Sequence, residues 1–320
     1  MRLPILVLLL ATLGCAMAAP YKDGPGPFAV DTLRTAWTDA ARGRTLPVKV
    51  YYPKTGDGPF PVIVFSHGLG GSCEGYQFQG ERWASHGYVS VHIQHPGSDS
   101  AVLQGAQPLQ AMRRAAADPR NAIDRPLDVK FALDQVTKLD DDGPLRHRLD
   151  LRHIGLAGHS FGGYTTLAVA GMALNGRQPF RDPRVTAAIA ESAPANAAQV
   201  EKKTYDAIAI PLLHMTGTKD DSPIGDTKAA DRRLPFDHIT AADQYLLIFT
   251  GGDHMVFSGR GRLTPAPTDA RFHALILQAT TAFWDAYLKG DAAAKSWLTD
   301  ACAAELGTDG TWEGKAATKK

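Results

Sequence analysis

From residue 46 to residue 249 the chain alternates short runs of consecutive apolar residues with longer stretches whose apolar positions recur every three or four residues. Val62-Ile63-Val64-Phe65 and Tyr245-Leu246-Leu247-Ile248-Phe249 contain no polar position. A strand with one wet face alternates apolar and polar residues, whereas a strand covered on both faces does not. These runs therefore predict inner strands of a parallel sheet. Strands are expected at Leu46–Tyr52, Pro61–Phe65, Tyr88–Ile93, His153–Ala157, Val185–Ala190, Pro211–Met215 and Tyr245–Phe249. Helices are expected at Glu81–His86, Pro126–Leu139, Gly162–Leu174 and Phe272–Leu288. This alternation predicts an α/β protein, with a doubly wound, mostly parallel sheet and helices on both faces. Residues 97–125 and 218–243 carry no strand pattern. They are expected as loops or lid insertions above the sheet, where such folds bind ligands.

The ends of the chain read differently. Arg2, the apolar run from Leu3 to Leu13 and the small-x-small triplet Ala16-Met17-Ala18 make a secretory signal over residues 1–18, with an exported mature domain over 19–320. The run is shorter than the roughly 20 residues that span a bilayer, so no transmembrane segment is expected. Lipid anchoring at Cys15 is the minor alternative. Residues 19–29 read as an extended lead-in, and the Ala-rich stretch Asp291–Leu306 as a surface helix or a contact to a partner chain.

Composition narrows the function. The chain has 320 residues, 44% hydrophobic and 21% charged, with 34 Lys+Arg against 33 Asp+Glu. Without Arg2 the two signs balance, so there is no basic field for nucleic acid. Of the three cysteines, Cys73 and Cys302 remain after residue 18; a disulfide and two separate thiols are both open readings. His92 and His95 lack the further ligands of a metal site, and neither a metal nor a cofactor is expected.

Gly158-His159-Ser160-Phe161-Gly162-Gly163 carries the chemistry. It holds G-x-S-x-G between a predicted strand and a predicted helix, the setting that turns a weak pattern into a nucleophile elbow. A chain reversing direction within one or two residues strains Ser160 and leaves room only for glycine beside it. The hydroxyl of Ser160 is then presented above the sheet, and the Phe161 N–H faces the oxygen that becomes negative during attack. A second such donor is expected from Phe65-Ser66-His67-Gly68-Leu69-Gly70-Gly71 after the preceding core strand, at the Leu69 N–H, with His67 bracing the loop.

A serine hydroxyl needs a base. In this architecture acid and base follow the serine in that order. His254, in Thr250-Gly251-Gly252-Asp253-His254-Met255 after the last core strand, is the expected base ahead of His273 and His238. Asp220, after Pro211–Met215, is the expected acid, with Asp221 the alternative. Asp253 reads as a turn residue, and Glu191 and Asp243 as solvated charges. Met255 and Phe257 are expected to line an apolar pocket.

On these residues the chain from about 45 to 290 resembles the α/β-hydrolase superfamily. Phe65-Ser66-His67-Gly68-Leu69-Gly70, Ala84-Ser85-His86-Gly87-Tyr88 and the Ser160 elbow are similar to platelet-activating-factor acetylhydrolases and to predicted dienelactone-hydrolase-like esterases. The resemblance implies a cofactor-free serine hydrolase of carboxylic esters, with oxyanion donors at Leu69 and Phe161. True dienelactone hydrolases carry cysteine where this chain has Ser160. Short-acyl or acetyl esters are the expected substrates. Polyester or cutinase-like and lipase activity stands as the alternative, amide or peptide hydrolysis ranks lower, and an inactive binding module lowest.

Overall fold

A computed structural model describes residues 19–259 and 267–318; the signal-like segment 1–18, with Cys15, lies outside the described residues. The elements run β1 (Val30–Asp39), β2 (Arg44–Pro53), β3 (Phe60–Ser66), α1 (Gln77–Ser85), β4 (Val89–Ile93), α2 (Pro108–Ala117), α3 (Pro119–Asp141), β5 (Leu149–His159), α4 (Phe161–Ala170), β6 (Val185–Glu191), α5 (Ala197–Glu201), β7 (Leu212–Lys219), α6 (Leu234–His238), β8 (Gln244–Asp253), α7 (Asp269–Leu288), α8 (Ala292–Ser296), α9 (Cys302–Leu306) and β9 (Gly310–Lys315).

One sheet takes the order β1-β2-β4-β3-β5-β6-β7-β8-β9. Strands β3 to β8 are parallel, and β1, β2 and β9 run antiparallel at its edges. Every residue of β3 and β4 is buried, which explains their unbroken apolar runs. Helices α1 and α7 cover one face, where Trp83, Phe283 and Trp284 pack; α3 and α4 cover the other, where Val129 and Leu133 of α3 join Val62 and Val64 of β3 in one cluster. The strand order reverses around β3 and β4, so the carboxyl ends of the parallel strands open a crevice there. This is the α/β-hydrolase architecture.

The sheet has two strands that the apolar pattern does not announce. β1 alternates half-buried and exposed positions, and β9 is Gly-Thr-Trp-Glu-Gly-Lys; neither contains an apolar run. Helix α3 starts seven residues before Pro126, because the Asp118 carboxylate accepts the Arg120 N–H as an N-cap and Pro119 occupies the first turn. Pro126 lies inside this helix, where it cannot bond the Ala122 carbonyl; the Tyr164 hydroxyl reaches that oxygen instead, at 3.4 Å. Segment 97–125 therefore holds α2 and the start of α3. The stretch 291–306 is no free surface helix: Ala294, Leu298, Cys302 and Leu306 are buried, the last three in the α7 core.

Candidate active site

The turn from β5 into α4 places Ser160 at φ 56°, ψ −114°, a left-handed conformation strained for any residue but glycine. The Ser160 N–H donates to the Glu191 carbonyl at 2.8 Å, pinning the turn to the neighbouring strand. A side chain on Gly162 would collide with the Ser66 carbonyl, and one on Gly158 with the carbonyls of Gly162 and Ser66. Glycine at both positions is thus imposed by backbone closing around the serine.

Ser160 Oγ lies 2.9 Å from His254 Nε2, and His254 Nδ1 lies 2.7 Å from Asp220 Oδ1. A carboxylate only accepts, so Nδ1 carries the ring proton and Nε2 accepts from the serine hydroxyl. Asp220 is fully buried and His254 nearly so. The second oxygen of Asp220 accepts from Ser192 Oγ at 2.5 Å and Thr216 Oγ1 at 2.9 Å. Arg232 Nε stands 3.0 Å from Oδ1. Oδ2 therefore has two hydroxyl donors, and Oδ1 has the imidazole N–H with the guanidinium charge beside it. Asp221 turns outward instead, pairing with Lys228 and accepting the Ala229 N–H, so the alternative acid is not at the imidazole.

The loop after β3 supplies the other wall. Gly70 N–H donates to Ser98 O at 2.9 Å and Gly71 N–H to Gly68 O at 3.0 Å. Among the described residues no acceptor takes the Leu69 N–H. Phe161 is the first residue of α4, where an N–H has no intrahelical acceptor. Leu69, Phe161, Ser160 and His254 line one cavity. Arg125, wholly buried, braces this wall. It donates to Ser66 Oγ, Ser98 Oγ, Thr165 Oγ1 and the His67 carbonyl, and its guanidinium lies 4.7 Å over the Phe161 ring. Burial pulls its pKa down to about 9.

A directional chain ties the three loops together. Gly68 N–H donates to Tyr76 Oη at 3.1 Å, and the Tyr76 hydroxyl donates to His159 Nδ1 at 2.9 Å. His159 Nε2–H donates to the His254 carbonyl at 3.0 Å. Burial holds His159 neutral, well below the ordinary histidine range, which this chain requires.

The cavity measures about 480 Å³ and is mostly apolar. Leu103, Met112 and Ala116 from segment 97–125 and Pro223 and Ile224 from segment 218–243 form its walls, with Met255 at the rim. Leu103 and Met255 are 37% and 41% exposed. Phe257 is not in the lining; it is fully buried, packing on Phe249 and His159.

Other sequence candidates lie elsewhere. His273 Nε2 meets the Val256 carbonyl, and His238 ends α6. His67 Nδ1 faces the Gly68 carbonyl at 2.6 Å, and its Nε2 accepts the His95 N–H. His92 stacks on Phe65, whereas His95 bridges Ser66 and Asp128; among the described residues no group of three His, Cys, Asp or Glu is placed to hold a metal. Cys73 and Cys302 are separate buried thiols, so the disulfide reading fails. Glu191 is not solvated: it is wholly buried, accepts from Gln79 Nε2 at 2.8 Å, and desolvation lifts its pKa to about 8. Asp243 is partly buried and paired with Lys295. Sequence reasoning missed Tyr76, Ser192, Thr216 and Arg232. His159 was inside the quoted motif, but nothing there announces its partners.

A sequence model described as "PETase: PET hydrolase-like" matches residues 16–266. Cutinase 2 of Thermobifida cellulosilytica is 28% identical over 171 residues, 48% of this chain and 54% of that protein. Platelet-activating factor acetylhydrolase of Canis lupus familiaris is 31% identical over 158 residues, 40% of this chain and 34% of that protein. The same enzyme of Cavia porcellus is 27% identical over 141 residues, 36% and 32% of the two chains. The chain thus spans about a third to a half of the length of these curated relatives. Among the described residues no helix is long and apolar enough to cross a membrane.

Proposed function

The chain belongs to the PET hydrolase-like family, and on that premise we propose that it is a serine carboxylic-ester hydrolase with Ser160 as its nucleophile, His254 its base and Asp220 its acid. His254 Nε2 takes the Ser160 proton as Oγ attacks the ester carbonyl. The N–H groups of Leu69 and Phe161 hold the oxyanion, and the imidazolium returns the proton to the leaving alkoxide. Water then attacks the acyl-enzyme by the same route. Asp220 keeps the ring in the tautomer whose free nitrogen faces the hydroxyl. The observation that carries this reading is the unbroken relay of 2.9 and 2.7 Å from Oγ to a buried carboxylate.

An apolar cavity of about 480 Å³ supports small, apolar acyl groups, acetyl and short-chain esters first. The exposed Leu103 and Met255 at its mouth favour a second reading, in which a longer or polymeric ester lies across the rim. We also propose that the enzyme is exported, on the signal-like pattern of Met1 to Ala18. The test is hydrolysis of p-nitrophenyl acetate by wild type and Ser160→Ala. Loss of turnover with an unchanged fold is expected, and retained turnover refutes the nucleophile. A p-nitrophenyl series from C2 to C12, run beside monomer release from a polyester film, separates the two substrate readings.

A further inference from the structure

Among the described residues, Arg232 stands at the relay with a charge that the mechanism above does not use. It sits just before α6, wholly enclosed between the ends of β6, β7 and β8. Its Nε donates to the Asp220 carbonyl oxygen at 2.7 Å and stands 3.0 Å from Asp220 Oδ1. One terminal nitrogen binds the Ser192 carbonyl, and the other approaches His254 Nδ1 to 3.3 Å. Because Nδ1 already carries a proton directed at Asp220, that approach is no hydrogen bond. It is a guanidinium held against the ring that must become cationic during catalysis.

We propose that Arg232 is a positioning residue that fixes the Asp220 carboxylate and, through its charge, extends the working range of the enzyme toward acid pH. This rests on the assignment of Ser160, His254 and Asp220 made above. The carboxylate behind His254 is shared: Oδ1 faces both the imidazole and the guanidinium. A carboxylate already paired with a cation stabilises an imidazolium less than a bare one does, and the nearby cation repels it directly. Both effects weigh against the imidazolium, and both follow from a guanidinium 3.3 Å from the ring and 3.0 Å from its carboxylate. Among the described residues, the other charged groups around the pair do not supply this. His159, from the elbow, is neutral. Asp221, from the loop after β7, is exposed and bound to Lys228, and Asp231 accepts the Lys228 N–H. Asp253, beside the histidine, accepts the Met255 N–H. Arg233 is engaged by Asp237 and Glu313.

The experiment is the pH dependence of kcat/KM for p-nitrophenyl acetate in wild type, Arg232→Gln and Arg232→Lys, with Ser160→Ala as the control. In Arg232→Gln the acid limb is expected to move up by about one pH unit, so that activity below the limb falls about tenfold relative to the plateau. In Arg232→Lys the charge remains and the fork is lost, so the limb stays near wild type. A folded Arg232→Gln whose limb coincides with wild type, or a lysine variant whose limb moves as far as the glutamine one, overturns the proposal. A purely bracing arginine lowers kcat without moving the limb.

Should Arg232→Gln fail to fold because Asp220 is left buried and unpaired, the comparison passes to Asp220→Asn against Asp220→Asn/Arg232→Gln. NMR then follows the His254 ring. Titration about one unit higher in the double variant supports the charge effect, and equal titration overturns it. Ser160→Ala keeps the two readings apart. If it retains turnover, the assignment falls and this inference with it. If it is dead while the arginine variants leave the limb in place, only the inference falls.

Discussion

Replacing Glu191 by glutamine is expected to stabilise the protein, increasingly so as pH rises. Glu191 is wholly buried beneath the turn from β5 into α4; Gln79 Nε2 donates to its Oε1, while among the described residues its Oε2 and Gln79 Oε1 have no partner. Desolvation lifts its pKa from 4.5 to about 8. A group whose folded value is raised contributes stability that is fully present below its unfolded value and is lost as pH climbs through the folded value. Between pH 4.5 and 8 the unfolded chain has released this proton and the folded chain has not. At 1.36 kcal/mol per unit the cost is on the order of 2 kcal/mol at pH 6 and 4 kcal/mol at pH 8. An amide has the same shape and no proton to lose. Its oxygen keeps the Gln79 Nε2 bond. The assay is urea unfolding of wild type and Glu191→Gln from pH 5 to 8.5. The two stabilities should diverge with rising pH, and turnover should change little, because the Ser160 N–H bonds the Glu191 backbone carbonyl and not its side chain. Parallel curves across that range refute the buried neutral acid.

Tyr76→Phe keeps the ring against Phe65 but leaves the Gly68 N–H and His159 Nδ1 without their shared hydroxyl. Two buried groups losing their partner cost about 2–4 kcal/mol. A denaturation midpoint that does not move refutes the three-loop chain. Asp220→Asn is expected to lower kcat by about 10⁴ through the wrong histidine tautomer, and Asp221→Asn, at an exposed site, to stay within about twofold; steady-state kinetics on the pair separates the two acids. Burial lowers the pKa of His92 to about 3 and of His95 and His214 to about 4, so the stability from their neutral forms is full above pH 6.5 and lost as pH falls through 4. Unfolding free energy should therefore drop below pH 6.5 at up to about 4 kcal/mol per pH unit, and a flat acid profile in equilibrium unfolding contradicts the burial of these rings.

What could be read from the chain follows from what a local pattern encodes. The seven inner strands announce themselves because both faces are covered, and the Ser160 elbow because its glycines are imposed by contacts within a few residues. Edge strands β1 and β9 carry no such signature, since half their positions face water. Glu191 looks like any acid until helix α1 lays Gln79 over it. Tyr76 and Arg232 reach the relay across 83 and 22 residues of sequence, to His159 and His254. No spacing rule encodes such a meeting; only the packed sheet ends bring them there.

A Ser160 hydroxyl activated by His254 should react with a phosphylating agent where ordinary serines do not. Treating the folded enzyme with a fluorophosphonate and mapping the adduct by mass spectrometry tests it most directly. One adduct is expected, on the peptide containing Ser160, absent from Ser160→Ala and strongly slowed in His254→Ala. An adduct on another residue, or a wild-type enzyme that remains unlabelled, would contradict this activation.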